Sequence, residues 1–479
     1  MSSKICNLIK CFDSTTSAFS KAKPGSSGPG SYGPGFCGPG YNSQILHIYV
    51  YTDDSKTTSD QFRTNSATRA DGAAGVPEDA SWLAAPLRKR RQQAMAARGS
   101  VLVIQSDWHD TLRDNDSSAW IFHKRRGEKG DYGKIGGSAS DGIFQVHSRT
   151  ERTIAVSHHP SGMSTIFIAP VASFSNIHAK SVIGLDVANG GLGVSVCSEN
   201  KLHVWETESG EVRRLLEGHF FDVYTCHLFP SGIVVLSGGG DMQLRIWDAA
   251  TGQCPVVLKG HTGAVLDTAF IDRGKNVISV SKDGTARLWN CGQSKCIATL
   301  LTAESTITSC AITDVTGLIN LPAPAEIPDE LEHGTAGKLL LLGCEEGMVH
   351  LVAVESRTVL GSFTQGAPVL SVCWARPTVG VAGLSDGRLV IVDAEALVTR
   401  PLSHDSASPV ETVTALKGGV LAGRRDGLCQ FYNLDGSSSF QLTGSDCDPI
   451  YKIVRDTNYI YTACRDGLIR KYRCSDINV

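Results

Sequence analysis

The sequence predicts an all-β protein, a ring of repeated four-stranded sheets, and three observations carry that expectation. Trp205, Trp247 and Trp289 stand 42 residues apart. An acid lies six residues before each of them (Glu199, Asp241, Asp283), and a serine four residues before each acid (Ser195, Ser237, Ser279). A histidine stands 17 or 18 residues further upstream in each copy: His178, His219 and His261. An internal period near 42 with Gly-His at one end and Trp-Asp at the other marks one blade of a WD-repeat β-propeller.

Each recurring residue has a physical role in such a blade. The inner strands are buried on both faces, so they read as short apolar runs such as Ile233–Leu236 and Asn276–Val280. Buried polar groups must then satisfy one another. The indole N–H can donate to the serine hydroxyl, the hydroxyl to the imidazole, and the imidazole to the carboxylate. His219, Ser237, Asp241 and Trp247 are expected to form one such network, and His261, Ser279, Asp283 and Trp289 another. The acid sits in the turn between the second and third strands, where Asp283-Gly284 is a turn dipeptide. In the first copy Glu199 replaces aspartate, so a looser network is expected. Ser, His and Asp together invite a catalytic reading. A nucleophile is needed once, however, whereas this set recurs at fixed offsets from a tryptophan.

Later units keep the turn and lose the tryptophan. Turn acids fall at Glu199, Asp241, Asp283, Glu346, Asp386, Asp426 and Asp466, which predicts seven blades. Val352, Val392, Tyr432 and Tyr472 occupy the tryptophan slot. The interval from 283 to 346 is too long, and the surplus falls near 315–337, a Pro- and acid-rich stretch expected to be an exposed loop off one blade. The last unit stops after its third strand. The run Thr165–Ala169 is expected to supply the missing outer strand and close the ring.

Three regions follow: 1–99, a disordered low-complexity tail; 100–163, a small N-terminal subdomain; and 164–476, the propeller. The tail carries the Gly/Pro/Ser tract Gly25–Tyr41, one short strand expected at Ile45–Tyr51, and the basic run Arg88–Arg91, read as a charged linker or a nuclear signal. A net charge of −3 gives no support to a general nucleic-acid binder. No apolar run suggests a membrane span, and Met1–Phe12 does not read as a secretory signal. The 15 cysteines are scattered without a CxxC pair. No structural zinc and no cofactor are therefore expected, and free thiols suit the cytosol or nucleus.

Four segments resemble the proteasomal ATPase-associated factor family: VLVIQSDWHDTLR (101–113), LLEGHFFDVYTCHLFPSGIVVLSGGGDMQLRIW (215–247), DRGKNVISVSKDGTARLW (272–289) and LTGSDCDPIYKIVRDTNYIYTACRDGLIRKY (442–472). The last, with its Thr-Gly-Ser-Asp-Cys-Asp-Pro and Cys-Arg-Asp-Gly-Leu, is the most specific. The resemblance covers about 101–476 and leaves the tail outside. It implies a non-enzymatic chaperone that binds the C-terminal domain of a proteasome regulatory-particle ATPase subunit. It also implies help in assembling the ATPase base and restraint on its association with the core particle. Such a protein is expected to be monomeric apart from its client and to work in the cytoplasm and nucleus.

Propellers bind partners through loops on one face, here the second turn of each unit and the loop leading into its first strand. The expected contacts are Lys282, Glu345, Ser385, Arg425 and Arg465 in the turns, with Phe220, Phe221, Asp222, Asp446 and Asp448 in the loops. An exposed aromatic pair within a ring of charge is a hot-spot pattern. The alternative use of the same face is an adaptor or substrate receptor of another complex, such as a ubiquitin ligase.

Overall fold

A computed structural model describes residues 100–477, apart from 115, 126–128, 138–141, 326 and 404–407. The tail 1–99, with the strand expected at Ile45–Tyr51 and the basic run Arg88–Arg91, lies outside the described residues.

From Val182 onward the chain repeats one unit, an antiparallel sheet in which consecutive strands are neighbours. Seven such blades span 182–216, 223–259, 265–302, 307–364, 369–403, 410–442 and 450–473. Their second strands are the most apolar and are buried on both faces, as in Val234–Gly239, Asn276–Ser281 and Gly419–Arg424. The first strands of neighbouring blades pack on one another all the way round, the seventh against the first. Close packing between blades needs missing side chains. A Cβ on Gly383 would lie 2.6 Å from Cγ1 of Val410 on the next blade's first strand.

Closure differs from the sequence expectation. The last blade has three strands of its own, and its fourth is β7 (Ala172–Phe174), antiparallel to Ile469–Arg473. The run Thr165–Ala169 does not close the ring. It belongs largely to β6 (Met163–Ile168), which pairs in parallel with the fourth strand of blade six through Phe440↔Ile166 and Leu442↔Ile168. Pro170 explains the switch. It has no N–H to continue a ladder, so the chain leaves blade six there. It re-pairs from Val171, whose N–H donates to Lys471 O at 2.7 Å.

The residues before β7 build outward from blade six. β4 (Phe144–Arg149), β5 (Thr153–His158) and β6 form an antiparallel meander that covers its outer edge, giving one seven-stranded sheet. A separate three-stranded sheet, β1 (Ser100–Ile104), β2 (Ala119–Arg125) and β3 (Asp131–Ile135), packs its apolar face on the meander. Trp108, fully buried on a single helical turn (Trp108–Thr111), shares that core, and its indole donates to Thr443 Oγ1 at 3.0 Å. No helix among the described residues is long and apolar enough to cross a membrane.

The long interval is an insertion between the first and second strands of blade four. It is pinned rather than free. Asn276, wholly buried in blade three, donates to Leu331 O at 3.0 Å and accepts from His333 N at 2.6 Å, while Asn290 also donates to Leu331 O. Glu332 pairs with Arg357. The insertion joins the first strand to the second, so it lies at the opposite end of the strands from the second turns.

Candidate functional site: the turn face of the propeller

One backbone hydrogen bond recurs in all seven blades. The residue before each turn acid donates its N–H to the carbonyl of the residue just before the first strand: Ser198 to Ser181, Gly240 to Asp222, Lys282 to Ala264, Glu345 to Thr306, Ser385 to Pro368, Arg425 to Pro409 and Arg465 to Pro449. The clasp fixes turn and loop together on one end of every blade. The turns need one residue with positive φ, supplied by glycine in five blades (Gly284 at 76°, for example) and by Asn200 and Met242 in the first two.

Beneath this face, side chains brace the loops. In blade two, Trp247 Nε1 donates to Ser237 Oγ at 2.8 Å, that hydroxyl lies 2.7 Å from His219 Nε2, and His219 Nδ1 lies 2.9 Å from Asp241 Oδ2. In blade three the same chain runs Trp289, Ser279, His261, Asp283 at 2.8, 2.7 and 2.8 Å. Asp283 also accepts from the Thr262 and Thr285 N–H groups and from Thr285 Oγ1. Burial alone would raise its carboxyl, but these donors hold it well below the carboxylate range. The first copy is incomplete. His178 reaches Ser195 at 2.7 Å, but Glu199 pairs with Lys201 in solvent, and the Trp205 indole and His178 Nδ1 have no hydrogen-bond partner among the described residues. Burial, with His203 stacked on it, pulls His178 down to about 3.

Above the braces lie the candidate contacts. Phe220 and Phe221 are 81% and 62% exposed, in the loop that His219 anchors. The guanidinium of Arg245 sits 5.9 Å from the Phe220 ring. Asp222, Lys282, Glu345, Arg425, Asp446 and Arg465 are exposed; Asp448 and Ser385 are half-buried. Some of the charges are already spoken for. Arg465 pairs with Asp448 at 2.8 Å, and Arg425 pairs with Glu411. Between blades three and four, Lys282, Glu304, Glu345 and Glu346 border a mainly acidic cleft of about 390 Å³.

A second polar group lies on the inner strands, which sequence reasoning missed. His227 Nδ1 is 3.4 Å from Asp186 Oδ2 and its Nε2 is 3.7 Å from Asp267 Oδ1. Burial pulls the imidazole down, but the two carboxylates outweigh it and raise it to about 8. Asp267 is held below the carboxylate range despite its burial, chiefly by the Lys452 ammonium and His227. These acids also sew blades together. Asp186 accepts from Leu228 N, and Asp267 accepts from Ser309 Oγ and Cys310 N. Ser371 likewise accepts from Val413 N. The available signal was a polar residue inside an otherwise apolar first strand, as in VIGLDV and VLDTAFI.

Residues 210–248 and 252–290 match the family described as WD domain, G-beta repeat. Over about four-fifths of its length the chain is similar to proteasomal ATPase-associated factor 1 of Homo sapiens, 42% identical over 389 residues covering 78% of this chain and 99% of the relative. The protein of that name in Gallus gallus is 43% identical, covering 79% and 100%. A probable proteasomal ATPase-associated factor 1 of Dictyostelium discoideum is 32% identical, covering 77% and 95%.

Proposed function

Because the chain belongs to the proteasomal ATPase-associated factor 1 family, we propose that it is a non-enzymatic chaperone for proteasomal ATPases. It uses its turn face to bind the C-terminal domain of a regulatory-particle ATPase subunit. In doing so it assists base assembly and restrains association with the core particle. The observation that supports this use of the face is the aromatic pair Phe220–Phe221, exposed side by side on the loop that the His219 network holds rigid. A large apolar surface ordered before binding loses little entropy on binding. Flanking charges of both signs supply orientation.

The inner polar group supports a binding role over catalysis. The two carboxylates that flank His227 raise its imidazole to about 8, so the ring is mostly protonated near neutral pH and poorly suited to take a proton from a hydroxyl. Ser309 is committed to Asp267 and Val372 N. The twelve described cysteines are all unpaired, which suits the reducing cytosol and nucleus where we place the protein.

The test is a pull-down with the tagged full chain against separately purified C-terminal domains of the regulatory-particle ATPases. Capture of one domain, lost in Phe220→Ala/Phe221→Ala with melting unchanged, supports the proposal. No capture by a correctly melting protein leaves the adaptor reading instead.

A further inference from the structure

Two buried histidines outside the propeller face a single carboxylate. His123 is the cross-strand neighbour of Asp131 in the β2–β3 hairpin, and His158 ends β5 on the meander that extends blade six. The side chains of His123 and His158 are 7% and 1% exposed, whereas that of Asp131 is 48% exposed. His158 Nε2 lies 3.1 Å from Asp131 Oδ2, and His123 Nδ1 lies 3.6 Å from the same oxygen. One donor atom from each of the three residues falls within 4.8 Å of the other two.

We propose that His123, Asp131 and His158 bind a divalent transition-metal ion of the zinc type, which staples the β2–β3 hairpin to β5. Bonds of about 2.0–2.1 Å in tetrahedral array put ligand atoms about 3.4 Å apart, and the two measured separations bracket that value. Direction agrees with distance. His158 Nε2, on a side chain 1% exposed, has no hydrogen-bond partner among the described residues despite its nearness to Asp131. Two ligands of one ion aim at the ion and not at each other. Without an ion, the buried His158 Nε2 makes no well-aligned hydrogen bond, which costs free energy.

The surroundings also fit. His158 Nδ1 lies 2.8 Å from Ser161 Oγ, a second partner of the kind that fixes a ligating imidazole's tautomer. The imidazoles stack at 4.1 Å, and Phe144 packs 5.0 Å from His158, walling off the inner side. The exposed side is that of Asp131, where water completes the shell. Neutral nitrogen with one carboxylate oxygen is a donor set for zinc and its first-row neighbours rather than for calcium or magnesium.

The test uses the full chain, stripped with a chelator and titrated with zinc chloride. Metal content is read after gel filtration, together with the melting midpoint. The expected result is one bound equivalent and a rise in the midpoint, both lost in Asp131→Asn, whose half-exposed side chain can be exchanged without opening the core. Retention of the same equivalent by that variant, or no equivalent in a folded wild-type chain, overturns the site. Cobalt substitution decides independently of any variant. A visible d–d spectrum without a thiolate charge-transfer band is expected; a thiolate band would assign the ion to cysteine and refute the proposal.

Discussion

Asp283→Ala in blade three should destabilise the propeller far more than Glu199→Ala at the equivalent turn position of blade one. Asp283 accepts four hydrogen bonds: His261 Nδ1, the N–H groups of Thr262 and Thr285, and Thr285 Oγ1. Thr262 is exposed and Thr285 half-buried, so water can replace their share. The His261 side chain is fully buried and has no such recourse. An orphaned buried donor costs about 1–3 kcal/mol. Thr285 Oγ1, 3.2 Å from His261 Nδ1, recovers part of it. A net loss of about 2 kcal/mol follows, or roughly 3 °C in melting midpoint for a cooperative ring of this size at about 2.1 cal/mol/K per residue. Among the described residues Glu199 pairs with the exposed Lys201 alone, and a surface pair is worth about 0–1 kcal/mol. Scanning calorimetry or dye-monitored melting of both variants reads the contrast. Equal shifts would refute the claim that the carboxylate acts through a buried imidazole.

Two further outcomes follow from the closure and from the inner strands. Ser173→Pro removes an N–H from β7 opposite Arg470 and should open the ring, seen as protease cleavage of the last blade and a collapse of the melting transition. A ring that melts as before would show that β7 does not close it. His227 titrates at about 8 in the fold against about 6.5 unfolded. With the folded value raised, its contribution is fully present below about pH 6.5 and is lost as pH rises through about 8, amounting to about 2 kcal/mol. The groups facing it are Asp186, Asp267 and Lys452. His227→Gln should therefore lose more stability near pH 6 than near pH 9, by chemical denaturation at each pH. A pH-independent gap would sink this assignment.

The repeat was legible because the buried network fixes four residue types at once. A tryptophan N–H, a hydroxyl, an imidazole and a carboxylate must each be present for the others to be satisfied. Where blades use other solutions, the pattern fades. Arg424, wholly buried, donates to Gly387 O and to Tyr432 Oη in blade six, and nothing in the 42-residue period announces it. The closing strand was misplaced for a related reason. Thr165–Ala169 and Ala172–Phe174 are both strand-like, and the choice between them is made by which sheet edge needs covering. That edge belongs to blade six, whose strands lie more than two hundred residues away in sequence. The inner acids were hidden because their partners, the His227 imidazole, Ser309 Oγ and backbone N–H groups, lie on neighbouring blades, at no fixed offset within one repeat. His123, Asp131 and His158 lie on three strands whose pairing no short motif records.

The distribution of braces ranks the candidate contacts. Blades two and three hold their loops by complete Trp–Ser–His–Asp chains, and Phe220 and Phe221 directly follow one of the anchoring histidines. Arg425 and Arg465 instead spend their charge on Glu411 and Asp448. A partner acid approaching either arginine must displace an existing carboxylate and desolvate both, so the net gain is small. The aromatic pair has no such competitor beyond the loosely stacked Arg245. Among the described residues Lys282 meets a Tyr224 ring 5.8 Å away, and it is the one basic residue lining the cleft where Glu304, Glu345 and Glu346 crowd together. The binding energy of the turn face should therefore concentrate on blades two to four. If the face binds as proposed, a basic segment of the partner is expected over the acidic cleft and an apolar one over Phe220–Phe221, with Arg425 and Arg465 contributing less.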